Sequence, residues 1–199
     1  MRVPGSAEIV ALHDRVLAGA EWSATGPTDL AEDVWSCIER NHRCNCRLWA
    51  EEDQARRRDV PDAAIAANKR SIDAFNQQRN DAIEKIDEQL LALLPVPERR
   101  ADARLSSETA GAMIDRLSIL ALKIFHMRIQ TERRDAAREH LETSRARLAR
   151  LTEQRADLGG CLDALLADCL AGRARFKVYR QFKMYNDPAF NPYLYGAKR

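Results

Sequence analysis

The sequence predicts an all-α protein: an elongated bundle of long antiparallel helices, with a coiled-coil-like arm and an aromatic C-terminal strap. Three observations carry that prediction. Apolar residues recur at steps of three and four along most of the chain. Glycine and proline are scarce, at 8 and 7 in 199 residues, and they fall between the periodic stretches. No run of β-branched residues alternates with polar ones, so no sheet is assigned.

Each element follows in order. Ser6 is placed to cap a first helix that buries Ile9, Leu12, Val16 and Leu17 and ends at Gly19. Gly26-Pro27 breaks the chain, and Thr28 caps a second helix that reads to about Asp59, before Val60-Pro61. A third helix runs from about Asp62 to Leu94 and stops at Pro95-Val96-Pro97; its apolar seam is Ile65, Ile72, Phe75, Ile83, Ile86, Leu90 and Leu93. Ser106 or Ser107 caps a fourth helix, with Glu108 in the first turn, where the helix dipole favours an acid.

The fourth helix is apolar from Met113 to Phe125, polar from Thr131 to Arg138, and then carries a heptad seam through Ala137, Leu141, Ser144, Leu148, Leu151, Arg155, Leu158, Leu162, Leu165 and Cys169. Gly159-Gly160 interrupts that seam at a cost of about 2 kcal/mol relative to alanines and marks an expected kink or break. Read as one rod from Ser107 to Leu158, the helix is about 78 Å long. It would either project or fold back near Gly159, and its seam predicts a homodimer. Seven of the twelve aromatic residues lie between Phe176 and Tyr195, a segment expected to dock across the bundle. The organisation is one helical domain: residues 1–27 an N-terminal helix and linker, 28–175 the long-helix bundle, 176–199 the aromatic tail.

Composition excludes several classes. With 45% hydrophobic and 31% charged residues the chain is neither disordered nor membrane-embedded. No stretch approaches the roughly 18 apolar residues of a membrane span, and the N-terminus lacks the apolar core of a signal peptide, so the cytoplasm is the expected location. A net charge of +2 gives no general attraction to nucleic acid. Cys37, Cys44, Cys46, Cys161 and Cys169 are an odd, irregular set, expected to be reduced thiols. Cys44 and Cys46 are two apart on a helix and point nearly opposite ways, which disfavours zinc.

The chemistry-bearing residues form polar stripes beside the apolar seams. The second helix carries His42, Asn45, Trp49, Glu52 and Arg56 on one face, with Asp53 adjacent. The third carries Lys69, Asp73, Asn76, Asn80, Glu84 and Asp87, with Arg79 alongside; the fourth carries Glu108, Asp115, Arg116, Ser118 and Lys123. Such stripes either pair across helices and set register, or line a cleft for a polar ligand. His13, His126 and His140 read as ordinary structural or surface residues.

Four runs in these stretches resemble one family. They are Asn41-His42-Arg43 with Asn45, Leu48-Trp49, Glu52-Asp53 and Arg56; Lys69-Arg70-Ser71-Ile72-Asp73 with Asn76-Gln77, Arg79-Asn80-Asp81, Ile83-Glu84 and Asp87; Ser107-Glu108-Thr109-Ala110-Gly111 with Asp115-Arg116-Leu117-Ser118-Ile119 and Lys123; and Tyr179 to Pro188. The family is the bacterial one known as domain of unknown function 4254, and the resemblance covers the chain from about Thr28 onward. It implies an all-helical protein in the setting of surface-polysaccharide metabolism, and it brings no catalytic assignment.

Three functions follow as expectations. In the first, the stripes form an interhelical site that binds or processes a phosphorylated or sugar-nucleotide-like ligand. Arg56, Lys69, Arg79, Arg116 or Lys183 would hold the anion; His42, Asn45, Trp49, Asn76 and Asn80 would contact the rest; Glu52 or Asp73 would serve as general base. In the second, Glu84-Lys85-Ile86-Asp87 and Glu52-Asp53 hold magnesium or manganese for phosphoanhydride hydrolysis, a likeness to all-α nucleotide pyrophosphohydrolases that lacks their Glu-x-x-Glu half, since Ala55 follows Glu52 by three. Glu39-Arg40-Asn41-His42 has no second copy, so a di-iron site is discarded. In the third, the long helix and aromatic tail scaffold a protein partner.

Overall fold

The computed structural model describes residues 2–22, 33–94, 102–182, 184 and 187–196. Among them lie six helices: α1 (Ser6–Leu17), α2 (Val34–Gln54), α3 (Asp62–Leu93), α4 (Ala110–Thr131), α5 (Arg138–Leu170) and the short α6 (Pro192–Tyr195). The all-α prediction holds, with one addition. Two-residue strands β1 (Arg104–Leu105) and β2 (Ala174–Arg175) pair in parallel, too short to show any alternation in the sequence. The expected breaker and cap at Gly26-Pro27-Thr28, and the stop at Pro95-Val96-Pro97, lie outside the described residues.

Side-chain caps open α2 and α4, whereas Gly5, not the expected Ser6, is the N-cap of α1. Asp33 accepts the Ser36 N–H at 2.8 Å to open α2, and Thr109, rather than Ser106 or Ser107, accepts the Ala112 N–H at 3.1 Å to open α4. Ser106 instead donates its backbone N–H to the Arg175 carbonyl beside the strand pair. Two starts are also capped across helices. Asp163 of α5 accepts the Ser6 N–H and hydroxyl at 2.8 and 2.6 Å, and Asp87 of α3 accepts the Gly111 N–H at 2.6 Å. A carboxylate at each N-terminus complements the exposed donors and the helix dipole.

The fourth helix of the sequence reading is two helices. The chain turns at residues 132–137, where Thr131 to Ala136 offers no large apolar side chain to bury, and Ala137 becomes the N-cap of α5. The fold-back is therefore here, and α5 runs unbroken through Gly159-Gly160. Its seam packs within the chain: Leu158, Leu162, Leu165 and Cys169 are buried in one core with Ile9, Ile38, Ile86, Leu90, Ile114 and Leu117. α4 and α1 thus cover the C-terminal half of the seam, whereas Leu141, Leu148 and Leu151 stay half-buried.

Glycines explain two close approaches. A Cβ on Gly159 would stand 3.1 Å from Ser6 Oγ, so the bare backbone lets α1 reach Asp163. A Cβ on Gly111 would stand 2.6 Å from the Ile83 carbonyl oxygen and 2.8 Å from Asp87 Oδ1. Gly111→Ala is therefore expected to force α3 and α4 apart and cost about 1–3 kcal/mol. Gly160 meets nothing within 4 Å, and Gly160→Ala is expected to stabilise by about 0.5–1 kcal/mol. Urea denaturation of the two variants would show opposite signs.

The tail departs from its expected docking. Phe176 is buried, but Phe182 and Tyr193 are 87% and 88% exposed. The segment after Phe176 is held by polar contacts: Arg180 pairs with Glu84 at 2.8 Å and with Glu88, and the Gln181 N–H donates to Glu84 at 2.9 Å.

Candidate functional site

The polar stripes of three helices meet at a buried cluster. Asp115 of α4 is its centre. Its Oδ1 accepts Asn41 Nδ2 at 3.0 Å, Asn45 Nδ2 at 2.9 Å and Arg79 Nε at 2.7 Å, and its Oδ2 accepts Arg79 Nη2. Asn45 Nδ2 also donates to Ser118 Oγ at 2.9 Å, and that hydroxyl meets His42 Nδ1 at 2.7 Å. The charge-assisted bond to Asp115 holds the Arg79 guanidinium above its usual pKa. These bonds tie α2, α3 and α4 together and fix helix register, while Asn41 Oδ1 is buried with no hydrogen-bond partner among the described residues. His13 of α1 stacks on His42 at 4.4 Å, and both imidazoles are held below the usual pKa by burial, His42 at about 4.

The other expected residues are dispersed. Lys69 pairs with Asp73 at 3.3 Å and Arg56 with Glu52 at 2.8 Å, both on exposed helix faces. Arg116 pairs with Glu108 at 2.6 Å. Asn76 is half-buried on α3. Asn80, Glu84 and Asp87 line a cleft of about 380 Å³ with Thr109 and Tyr179; burial pushes the Asp87 carboxyl up to about 6, against the opposing bonds from Thr109 and Gly111. Lys183 lies outside the described residues.

The proposed metal set is not brought together. Asn68 Nδ2 donates to Glu51 at 2.7 Å, which sets the register of the α2–α3 hairpin. Glu84 is sixteen residues further along α3, about 24 Å at 1.5 Å per residue. Among the described residues no three His, Cys, Asp or Glu side chains group closely enough to hold a metal ion. Cys44 and Cys46 are buried thiols whose pKa burial pushes up to about 12, which makes them unreactive.

An open site lies one turn beyond the cluster. Trp49 of α2 and His126 of α4 stack nearly coplanar, 4.3 Å apart at 8°, and Trp22 packs its edge on His126 at 5.3 Å. The stack forms one wall of a cleft of about 550 Å³, completed by Asp53, Lys123, Met127 and Gln130 and, from α5, by Arg147, Arg150, Leu151 and Gln154. Three cations face one carboxylate. Arg150 pairs with Glu153, whereas Lys123 and Arg147 have no ion pair among the described residues. Trp49 Nε1 and His126 Nε2 are buried with no hydrogen-bond partner there, and burial lowers the His126 pKa, so its ring is neutral at pH 7. Sequence reasoning found Trp49, Asp53 and Lys123 but not His126, Arg147 and Arg150. The last two sit on an exposed face of α5 and border the cleft only because the turn at 132–137 brings α5 back along α4.

The class these features define is an all-α bundle locked by a buried polar cluster, with a cationic, aromatic-walled cleft beside it. The chain belongs to the family described as "Protein of unknown function (DUF4254)", whose model matches residues 35–178. That span holds every residue of the cluster except His13, and the whole cleft; the run from Tyr179 to Pro188 falls beyond it. Neither a curated protein nor a solved structure matches the chain. No helix among the described residues is long and apolar enough to cross a membrane.

Proposed function

We propose that the protein binds a small phosphorylated, ring-bearing compound in the cleft between α2, α4 and α5. The observation that carries this reading is the pairing of Lys123 and Arg147, free of ion pairs among the described residues, with the Trp49–His126 stack. Cations that outnumber the carboxylates around them attract phosphate, and a rigid aromatic wall offers a face for a base or a sugar ring. The cations expected from sequence serve otherwise, because Arg56, Lys69, Arg79 and Arg116 already hold carboxylates. A sugar-nucleotide-like ligand also suits the polysaccharide setting that the family resemblance implies.

Thermal unfolding against nucleotides, nucleotide sugars and sugar phosphates, each with and without magnesium, tests the reading. A ligand at 100 times its Kd adds about 2.7 kcal/mol. Arg147→Ala is expected to weaken binding about tenfold to a hundredfold with the fold intact. Unchanged affinity in that variant would place the ligand elsewhere, and a response that requires metal would favour the hydrolase reading.

A further inference from the structure

The cleft does not end at Lys123. A second cleft, of about 610 Å³, opens between α4 and α5 on the other side of that residue, and Lys123 and Gln154 line both. The two form one groove along α4, from His126 back to Arg116. Ten residues separate those ends, about 15 Å along the helix axis.

The two halves differ in charge. The first sets Lys123, Arg147 and Arg150 against Asp53. The second sets Lys123 and Arg116 against Glu108 and Asp157, and there Arg116 is already neutralised by Glu108 at 2.6 Å. Asp157 holds no ion pair among the described residues. The anionic centre of a ligand therefore belongs at Lys123, towards Arg147. What continues into the second half meets acceptors, Asp157 and Gln154 Oε1, over an apolar base that includes Leu120.

We infer that the ligand is a two-part phosphoanhydride ester, such as a nucleoside diphosphate joined to a sugar, laid along this groove. The inference rests on the reading of the first cleft given above and names the class of compound. The planar ring stacks at Trp49 and His126, the diphosphate sits at Lys123 and Arg147, and the second part places its hydroxyls on Asp157 and Gln154. A carboxylate is the acceptor that hydroxyl groups select and that a further phosphate would avoid. A mononucleotide or a simple sugar phosphate would leave one half of the groove empty, whereas a two-part ester reaches both.

Calorimetric titration of the full chain with uridine or adenosine diphosphate, and with the glucose esters of each, tests the inference. The expected result is that an ester binds at least tenfold more tightly than its parent diphosphate. Asp157→Ala should remove that advantage while leaving the parent's affinity unchanged; Asp157 is exposed, and an unaltered thermal midpoint would certify the fold. Equal affinity of ester and parent, untouched by Asp157→Ala, would overturn the two-part ligand and leave the anion cleft standing. No binding of either at millimolar concentration would overturn both.

Discussion

Replacing Asp115 by alanine is expected to lower stability by about 3–5 kcal/mol, the loss that follows when one partner of a buried ion pair is removed. Asp115 is 4% exposed at its side chain and Arg79 26%, so the guanidinium left behind is only partly able to recover water. In the same step Asn41 loses its Asp115 acceptor and Asn45 one of its two, keeping Ser118, so buried N–H groups are left unsatisfied. For a chain of this size the midpoint of thermal unfolding should fall by roughly 10 °C. Substituting the pair together, Arg79→Leu with Asp115→Leu, should recover much of the loss, because an apolar pair carries no desolvation penalty. A loss below about 1 kcal/mol for Asp115→Ala would mean that water already reaches the cluster. The cluster would then be a ligand site rather than a structural lock.

The convergence of His42, Asn45, Arg79, Asp115 and Ser118 was legible because steps of three and four fix which residues share a helix face. Spacing does not say whether that face meets another polar face or solvent. Glu52, Arg56, Lys69 and Asp73 have the same spacing and turned to solvent, where each found a partner one turn away on its own helix. The start of α3 at Asp62 was legible for a different reason, since proline sets the chain direction whatever packs around it, whereas α2 stops at Gln54, short of the expected Asp59.

The turn at 132–137 was hidden by the heptad itself. A seam of period 3.5 describes a surface that needs covering and does not say what covers it; α4 and α1 cover the half from Leu158 to Cys169. That one turn shapes the candidate site, because it brings Arg147 and Arg150 to the edge of the cleft beside Trp49 and His126. The tail misled for a related reason. Aromatic residues want burial, but burial needs a groove, and after Phe176 the segment is tied to α3 by Arg180 rather than by its rings.

Stability should fall as pH drops through the range 6.5 to 4, with the stacked histidines as the cause. His42 is neutral in the fold down to about 4, against 6.5 for an ordinary imidazole, and His13 is lowered in the same direction by burial and by its neighbour. An unfolded chain binds protons at both sites below pH 6.5 and the folded one does not, so acid favours unfolding. The stabilisation is complete above 6.5 and is lost progressively below it. His42 alone accounts for about 3 kcal/mol at the acid end of that window. Asp87 works the other way. Its carboxyl is raised from 3.8 to about 6, so the folded state gains a proton there first and offsets a comparable amount as pH falls from 6 to 4. The buried histidines, His126 among them, and Asp87 therefore oppose each other in the wild type, and two variants separate the terms. Asp87→Asn removes the offset, keeps an acceptor for the Gly111 N–H, and should steepen the acid loss. His13→Leu removes a buried ring whose two nitrogens have no partner among the described residues, so it should flatten the profile and raise stability at pH 7 by about 1 kcal/mol. Urea midpoints at pH 7.5, 6 and 4.5 read all three proteins. An Asp87→Asn variant as stable at pH 4.5 as at 7.5 would show that water reaches the imidazole pair, and with it the core that α1 closes.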